Sequence, residues 1–309
     1  MNGALPRLAA LCGPTASGKT AAALALASRF PLEVVSADSR QVYRLMDIGT
    51  AKPTAAERGC IPHHLIDVAW PDEPFDAARF VDMATASIDG IRSRGRLPLL
   101  VGGTGLYIRA LTEGLVAAPA ADPGVRRHFE ALAHQEGVAV LHRRLGEIDP
   151  ESAARLAVRD RVRIIRALEV FELTGRPLSA WQRDHGFRAR RYRLLKIALA
   201  PPRDELYRRI DARAAAMFAG GLVEETQALL AAGYDPQLKT LQTIGYREAI
   251  ECLAGRLARE ESLVRLQQAT RRYAKRQLTW FRGDAEMIWV DPATDSDRIQ
   301  ALIAEFYDA

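Results

Sequence analysis

Residues 13–20, Gly13-Pro14-Thr15-Ala16-Ser17-Gly18-Lys19-Thr20, satisfy the pattern G-x-x-x-x-G-K-[ST] at every fixed position. Between a strand and a helix, such a loop is a phosphate cradle. Its backbone N–H groups and the helix N-terminus point at one spot and favour an anion there. Lys19 adds a point charge, and the Thr20 hydroxyl suits Mg²⁺. The chemistry is that of a polyphosphate, and a nucleoside triphosphate and a prenyl diphosphate both satisfy it.

Two further stretches carry reactive groups. In Asp38-Ser39-Arg40-Gln41 the carboxylate could hold a metal, act as a general base or cap the following turn. Ser39 and Gln41 could read base edges or serve as turn residues. In Gly102-Gly103-Thr104-Gly105 the glycines permit close approach of backbone to a ligand. Thr104 could contact the ligand or cap the next helix. The pair His63-His64 is a poor metal site, because adjacent strand residues point to opposite faces. Cys12, Cys60 and Cys252 lack C-x-x-C spacing, so no zinc site or disulfide framework is expected, and a reducing cytoplasm fits best.

The elements that must position these groups alternate. Leu8–Cys12, Leu32–Ala37, His64–Val68 and Pro98–Val101 read as strands. Residues 21–27 and 76–94 read as helices, the second with apolar residues at Phe80, Val81, Ala84, Ile88 and Ile91. This alternation predicts an α/β fold, a doubly wound parallel sheet flanked by helices. Ligands of such sheets sit beyond the carboxyl ends of the strands, so Gly13, Asp38 and Thr104 should converge. After the boundary Ala117–Pro123 the chain reads as helix to about residue 180, broken at Pro150 and Pro177. Strand character returns at Leu194–Leu199 and at Trp289-Val290. The expected organisation is an α/β core of residues 1–116 and 190–309 with an all-helical insertion domain at 117–189.

The chain has 309 residues, 43 Lys+Arg against 38 Asp+Glu, and a pI of about 9.3. Its basic residues cluster. Residues 151–200 hold twelve Lys/Arg against five Asp/Glu, and Arg271, Arg272, Lys275, Arg276 and Arg282 interleave with Tyr273, Trp280 and Phe281. Solvated helix faces and a nucleic-acid surface both account for this pattern. No apolar run approaches the ~20 residues that span a membrane, and no long apolar leader opens the chain, so secretion is not expected.

These pieces together resemble the tRNA dimethylallyltransferases (isopentenyl-tRNA transferases), in their shorter bacterial form. The resemblance rests on Asp38-Ser-Arg-Gln-Val-Tyr43, Met46-Asp-Ile-Gly-Thr-Ala-Lys-Pro53, Pro62-His-His-Leu-Ile-Asp67, Val101-Gly-Gly-Thr-Gly-Leu-Tyr107, Arg166-Ala-Leu-Glu-Val170, Thr243-Ile-Gly-Tyr-Arg-Glu248 and Ala274-Lys-Arg-Gln-Leu-Thr-Trp-Phe-Arg282. It covers roughly residues 8–290. It implies a P-loop NTPase-like core and transfer of a dimethylallyl group from dimethylallyl diphosphate to N6 of the adenine adjacent to the anticodon. The tRNAs would be those reading codons that begin with U. It further implies that the phosphate loop, residues 13–20, holds the prenyl diphosphate rather than ATP, with Mg²⁺ at Thr20.

By the same resemblance Asp38 is the general base, and Thr104 and Lys19 complete the catalytic set. Asp38, Ser39, Arg40, Gln41, Thr104, Arg126, Val162, Arg163, Ile164, Ile165, Arg166, Lys275 and Arg276 are expected to face tRNA, with Arg126 lining the channel and the helical insertion acting as a clamp. Arg213 is a further candidate for the diphosphate. One departure stands out. Many members carry an Asn-Asp-Pro turn before the Arg-Ala-Leu-Glu-Val word, and here the stretch is Val158-Arg159-Asp160-Arg161-Val162, which blurs the contacts assigned to 162–166. A monomer is expected, since clamping tRNA needs no second copy. The rival readings are a free-nucleotide prenyltransferase, a P-loop kinase or ATPase, and a non-catalytic RNA-binding protein.

Overall fold

The computed structural model describes residues 5–186 and 190–308. The chain runs β1 (Arg7–Cys12), α1 (Lys19–Ala27), β2 (Leu32–Ala37), α2 (Ala55–Cys60), β3 (His63–His64), α3 (Ala77–Ser93), β4 (Leu97–Gly102) and α4 (Gly105–Glu113). Five helices follow: α5 (Pro123–Gln135), α6 (Val138–Ile148), α7 (Pro150–Arg155), α8 (Arg161–Thr174) and α9 (Leu178–His185). The chain then forms β5 (Arg193–Leu199), α10 (Arg203–Ala219), α11 (Leu222–Ala231), α12 (Tyr246–Leu253), α13 (Arg259–Arg282), β6 (Ile288–Val290) and α14 (Ser296–Asp308). Two compact units result, one of residues 1–112 and 191–309, the other of residues 113–190.

The first unit is built on a six-stranded sheet of order β3-β2-β4-β1-β5-β6, every pair parallel. β1 and β4 are nearly continuous apolar runs because both faces of the sheet are covered, while β2 and β5 also bury Glu33, Ser36 and Lys196. Ala9, Leu11, Val34, Leu99 and Ile197 join residues of α1 and α14 in one core cluster. The alternating Leu8, Ala10, Val35 and Leu100 are equally buried and lie outside that cluster. Register fixes the functional edge. Cys12 and Ala37 both pair with Gly102, so the loops opening with Gly13, Asp38 and Gly103 leave the sheet at one level. Cys12 is fully buried there, and burial pushes its thiol up to about 12, an inert core residue.

The expected strand His64–Val68 is shorter. β3 ends at His64, because Leu65 and Asp67 adopt left-handed backbone (φ 64° and 58°). Asp67 is instead a hub, accepting from Lys52 Nζ at 2.5 Å and Arg58 Nη1 at 2.9 Å. His63 bonds the Ile61 carbonyl and His64 pairs with Glu33. Among the described residues no group of three His, Cys, Asp or Glu could hold a metal, and no helix is long and apolar enough to cross a membrane.

The second unit is all helical, closed around Phe129, Leu141, Leu145, Ile164, Ile165 and Leu168. Its helices carry side-chain caps where the sequence offers Asp. Asp122 caps α5, Asp149 caps α7 and Asp160 caps α8.

Candidate active site

The phosphate loop opens at Gly13 (φ 144°), where a Cβ would stand 2.7 Å from the Leu199 carbonyl oxygen. Within it Ala16 holds a left-handed backbone, φ 62°, a strain of order 1–3 kcal/mol of the kind that collects at binding loops. Lys19 Nζ donates to the carbonyls of Gly13 (3.0 Å) and Pro14 (2.7 Å). Burial, and next the nearby Arg213, pull its ammonium down from 10.5 to about 8, while Asp38 opposes the shift. Arg213, on α10, donates to the Thr15 hydroxyl and is itself lowered by burial, with Asp38 again opposing. The loop therefore holds two desolvated cations that repel each other, an arrangement that an anion relieves.

Asp38 resolves one of the alternatives left by the sequence. Its Oδ1 accepts from the N–H groups of Arg40 (2.8 Å) and Gln41 (3.3 Å), so one oxygen caps the turn, and the carboxylate also lines the cavity beside the phosphate loop. The Thr104 hydroxyl accepts from the Ser39 N–H at 3.0 Å, which ties the turn after β4 to the turn after β2. Gln41 is spent internally. Its amide donates to the carbonyls of Thr50 and Ala51, and Ser36 donates to its oxygen, so its side chain pins the 46–53 loop at the edge of the cavity that it lines. Arg40 is exposed.

Helix α13 closes the site. Tyr273 lines the cavity, and burial and then Asp38 push its hydroxyl up to about 12, while the Arg40 and Arg276 cations oppose. Gln277 bridges the phosphate loop and the turn after β4, accepting from Thr15 N–H and donating to Gly103 O, both at 2.9 Å. Lys275 and Arg276 are exposed on the same helix, and Arg276 lies 5.6 Å over the Tyr273 ring. The resulting cavity holds about 690 Å³. Its floor is the phosphate loop with Lys19 and Thr20, one wall is Asp38–Gln41, and Ile210, Ala214, Met217, Ile244 and Leu266 form an apolar side. A metal would find the Thr20 hydroxyl and the Asp38 carboxylate on this surface. That sparse set suits Mg²⁺, which keeps waters and relies on substrate phosphates.

The helical unit treats its named residues differently. Arg126 Nη2 and Arg166 Nη1 meet Glu169 Oε2 at 3.0 and 2.9 Å. The Asp122 N–H donates to Glu169 Oε1 at 2.9 Å, and Glu169 is fully buried. Val162 is 77% exposed and Arg163 is exposed, pairing with Asp160. Ile164 and Ile165 are a correction: at 0% and 2% exposure they belong to the unit's core, on the buried side of α8 with Ala167 and Leu168. The departure at 158–162 keeps its Asp, and Asp160 supplies the cap of α8.

The sequence reading missed Gln277, the cavity-lining Thr243 and Arg247, and Glu225, which accepts from the N–H groups of Asp47, Ile48 and Gly49. Gln277 carries a legible signal. It sits three residues after Ala274 and four before Phe281, both buried, so a polar side chain interrupts an apolar stripe and must find partners.

The IPP transferase family model matches residues 41–284. The tRNA dimethylallyltransferase of Geobacter metallireducens is 53% identical over 301 residues, covering 97% of each chain. That of Anaeromyxobacter dehalogenans is 51% identical over 293 residues, 95% of this chain and 97% of the other. Among solved structures, the tRNA isopentenylpyrophosphate transferase of Bacillus halodurans superposes with a TM-score of 0.71 at 43% identity, covering 98% of this chain and 97% of that one. A eukaryotic dimethylallyltransferase, caught acting on tRNA, gives a TM-score of 0.81 at 26% identity, over 98% of this chain and 79% of that one.

Proposed function

Because the chain belongs to the IPP transferase family, we propose that it transfers a dimethylallyl group from dimethylallyl diphosphate to N6 of the adenine beside the anticodon of tRNA. The tRNAs are those that read codons beginning with U, and the enzyme acts as a cytoplasmic monomer. The observation that carries the reading is the single cavity in which the phosphate loop, an apolar wall and the Asp38 carboxylate face one another.

The allylic carbon–oxygen bond breaks, its electron pair leaves with diphosphate, and a carbon–nitrogen bond forms to the exocyclic amine. Asp38 takes the proton that the amine gives up. Lys19, Arg213 and the loop amides stabilise the charge that develops on the leaving diphosphate. Thr20 would hold Mg²⁺, which when bound supplies further neutralisation of that charge. The prenyl tail lies against Ile210, Met217 and Leu266, and exclusion of water there protects the allylic carbon from capture. Thr104, which accepts from the Ser39 N–H, keeps the two turns at one spacing. The target base leaves its stack to reach the cavity, and the exposed Arg40, Lys275 and Arg276 meet the RNA backbone. In the helical unit Arg126 and Arg166, oriented by Glu169, with Val162 and Arg163, form the clamp.

Mass spectrometry of unmodified tRNA incubated with the protein, Mg²⁺ and dimethylallyl diphosphate tests this reading. One added dimethylallyl group on the adenine beside the anticodon is the expected result. Prenylated AMP with unchanged tRNA would assign a free-nucleotide enzyme, and turnover of ATP alone would return the loop to kinase chemistry.

A further inference from the structure

We infer that Gln277 is a positioning residue, whose one amide sets the spacing between the diphosphate loop and the turn that carries Thr104. Both of its polar atoms are used: Oε1 accepts from the Thr15 N–H and Nε2 donates to the Gly103 carbonyl, each at 2.9 Å. The residue is 7% exposed, so these bonds compete with little water, and leaving either unmade strands a buried polar group. A Cβ at Gly103 would stand 2.2 Å from Nε2, so the glycine makes room for this amide. Its helix is fixed at this point by the buried Ala274 and Phe281. One turn earlier on the same face of α13, Tyr273 lines the cavity between the two turns.

The consequence rests on the proposed function. The leaving group binds to the loop that Gln277 holds on one side, and the nucleophile binds near Asp38 and Thr104 on the other. Reacting atoms must approach to about 3–3.5 Å, and a misplacement of about 1 Å costs roughly 10²-fold in rate. Loosening the bridge should therefore lower kcat far more than it raises KM.

The test uses the full chain with Gln277→Met and Gln277→Glu. Gln277→Met is expected to lower kcat by about 10–100-fold with little change in KM for dimethylallyl diphosphate. Gln277→Glu places a second acceptor against the Gly103 carbonyl at neutral pH, whereas its protonated form can again donate there. The ratio of its kcat to the wild-type kcat at the same pH should therefore rise as pH falls, a response that loss of packing alone would not produce. Hydrogen exchange without substrates gives an independent readout: in Gln277→Met, peptides covering 13–20 and 101–107 should lose protection together. Unchanged exchange, or a loss confined to KM, overturns the inference. Coupled loss of protection in a protein whose wild type does not prenylate tRNA would leave the bridge standing and sink the functional reading instead.

Discussion

The two units handle positive charge in opposite ways. In the sheet unit Lys19 and Arg213 bond to carbonyl and hydroxyl oxygens of the phosphate loop and repel each other. In the helical unit Arg126 and Arg166 converge on one fully buried carboxylate, Glu169. Crowded cations without a matched counter-charge store unfavourable energy that an incoming anion releases, which makes a binding site. Cations already matched by a buried carboxylate release little on binding, but they are held in one orientation, which suits a surface that must fit a shaped partner.

The contrast can be broken most directly at its cationic end. Lys19→Ala should lower kcat/KM for dimethylallyl diphosphate by about 10²–10³, the usual cost of one preorganised donor to developing charge. Steady-state kinetics check this, and an unimpaired variant would remove the loop from the chemistry. The pH profile sharpens the same point. Lys19 sheds its proton near pH 8 in the free protein, well below its ordinary 10.5, and only the protonated form supplies the cation. Thus kcat/KM should fall as pH rises through about 8, since this parameter reports the free enzyme. A basic limb displaced above pH 10 would contradict the assigned environment.

At the matched end, Glu169→Gln should raise KM for tRNA while leaving kcat nearly unchanged. It should also cost about 1–3 kcal/mol of stability, because a buried acceptor of three hydrogen bonds loses its charge. Kinetics in tRNA and thermal denaturation read the two effects, and a pure loss of kcat would place Glu169 with the chemistry. A backbone test comes next. Gly49→Ala sets a Cβ 2.4 Å from the buried Tyr246 ring, which should destabilise by about 1–3 kcal/mol through overpacking, measured as a lower denaturation midpoint. The smallest effect is expected at Val162→Ser. At 77% exposure it should shift stability by no more than about 0.5 kcal/mol and act only on tRNA affinity.

The same contrast explains what the sequence made legible. The phosphate loop, Asp38 and Thr104 follow strand ends, and a parallel sheet delivers strand ends to one edge, so naming the strands was enough to bring these residues together. Helices carry no such rule. Whether Ile164 faces RNA or core depends on the rotation of α8, and that is set by packing against Phe129 and Leu141. The extension of β3 failed for a local reason, since Asp67 turns away to collect Lys52 and Arg58. Gln41 and Gln277 show the remaining gap. Polar type alone does not tell whether an amide meets a ligand or a backbone. Only the positions of Thr50, Ala51, Thr15 and Gly103 decide it.

The central claim is that the Asp38 carboxylate accepts the proton from the attacking amine. Single-turnover transfer to tRNA by Asp38→Asn, with tRNA affinity measured on the same preparation, tests it most directly. The account predicts a rate lowered by about 10²–10⁴ at nearly unchanged tRNA affinity, because asparagine keeps the oxygen that caps the Arg40 and Gln41 N–H groups. A rate close to wild type, or a loss wholly explained by weaker tRNA binding, would contradict it.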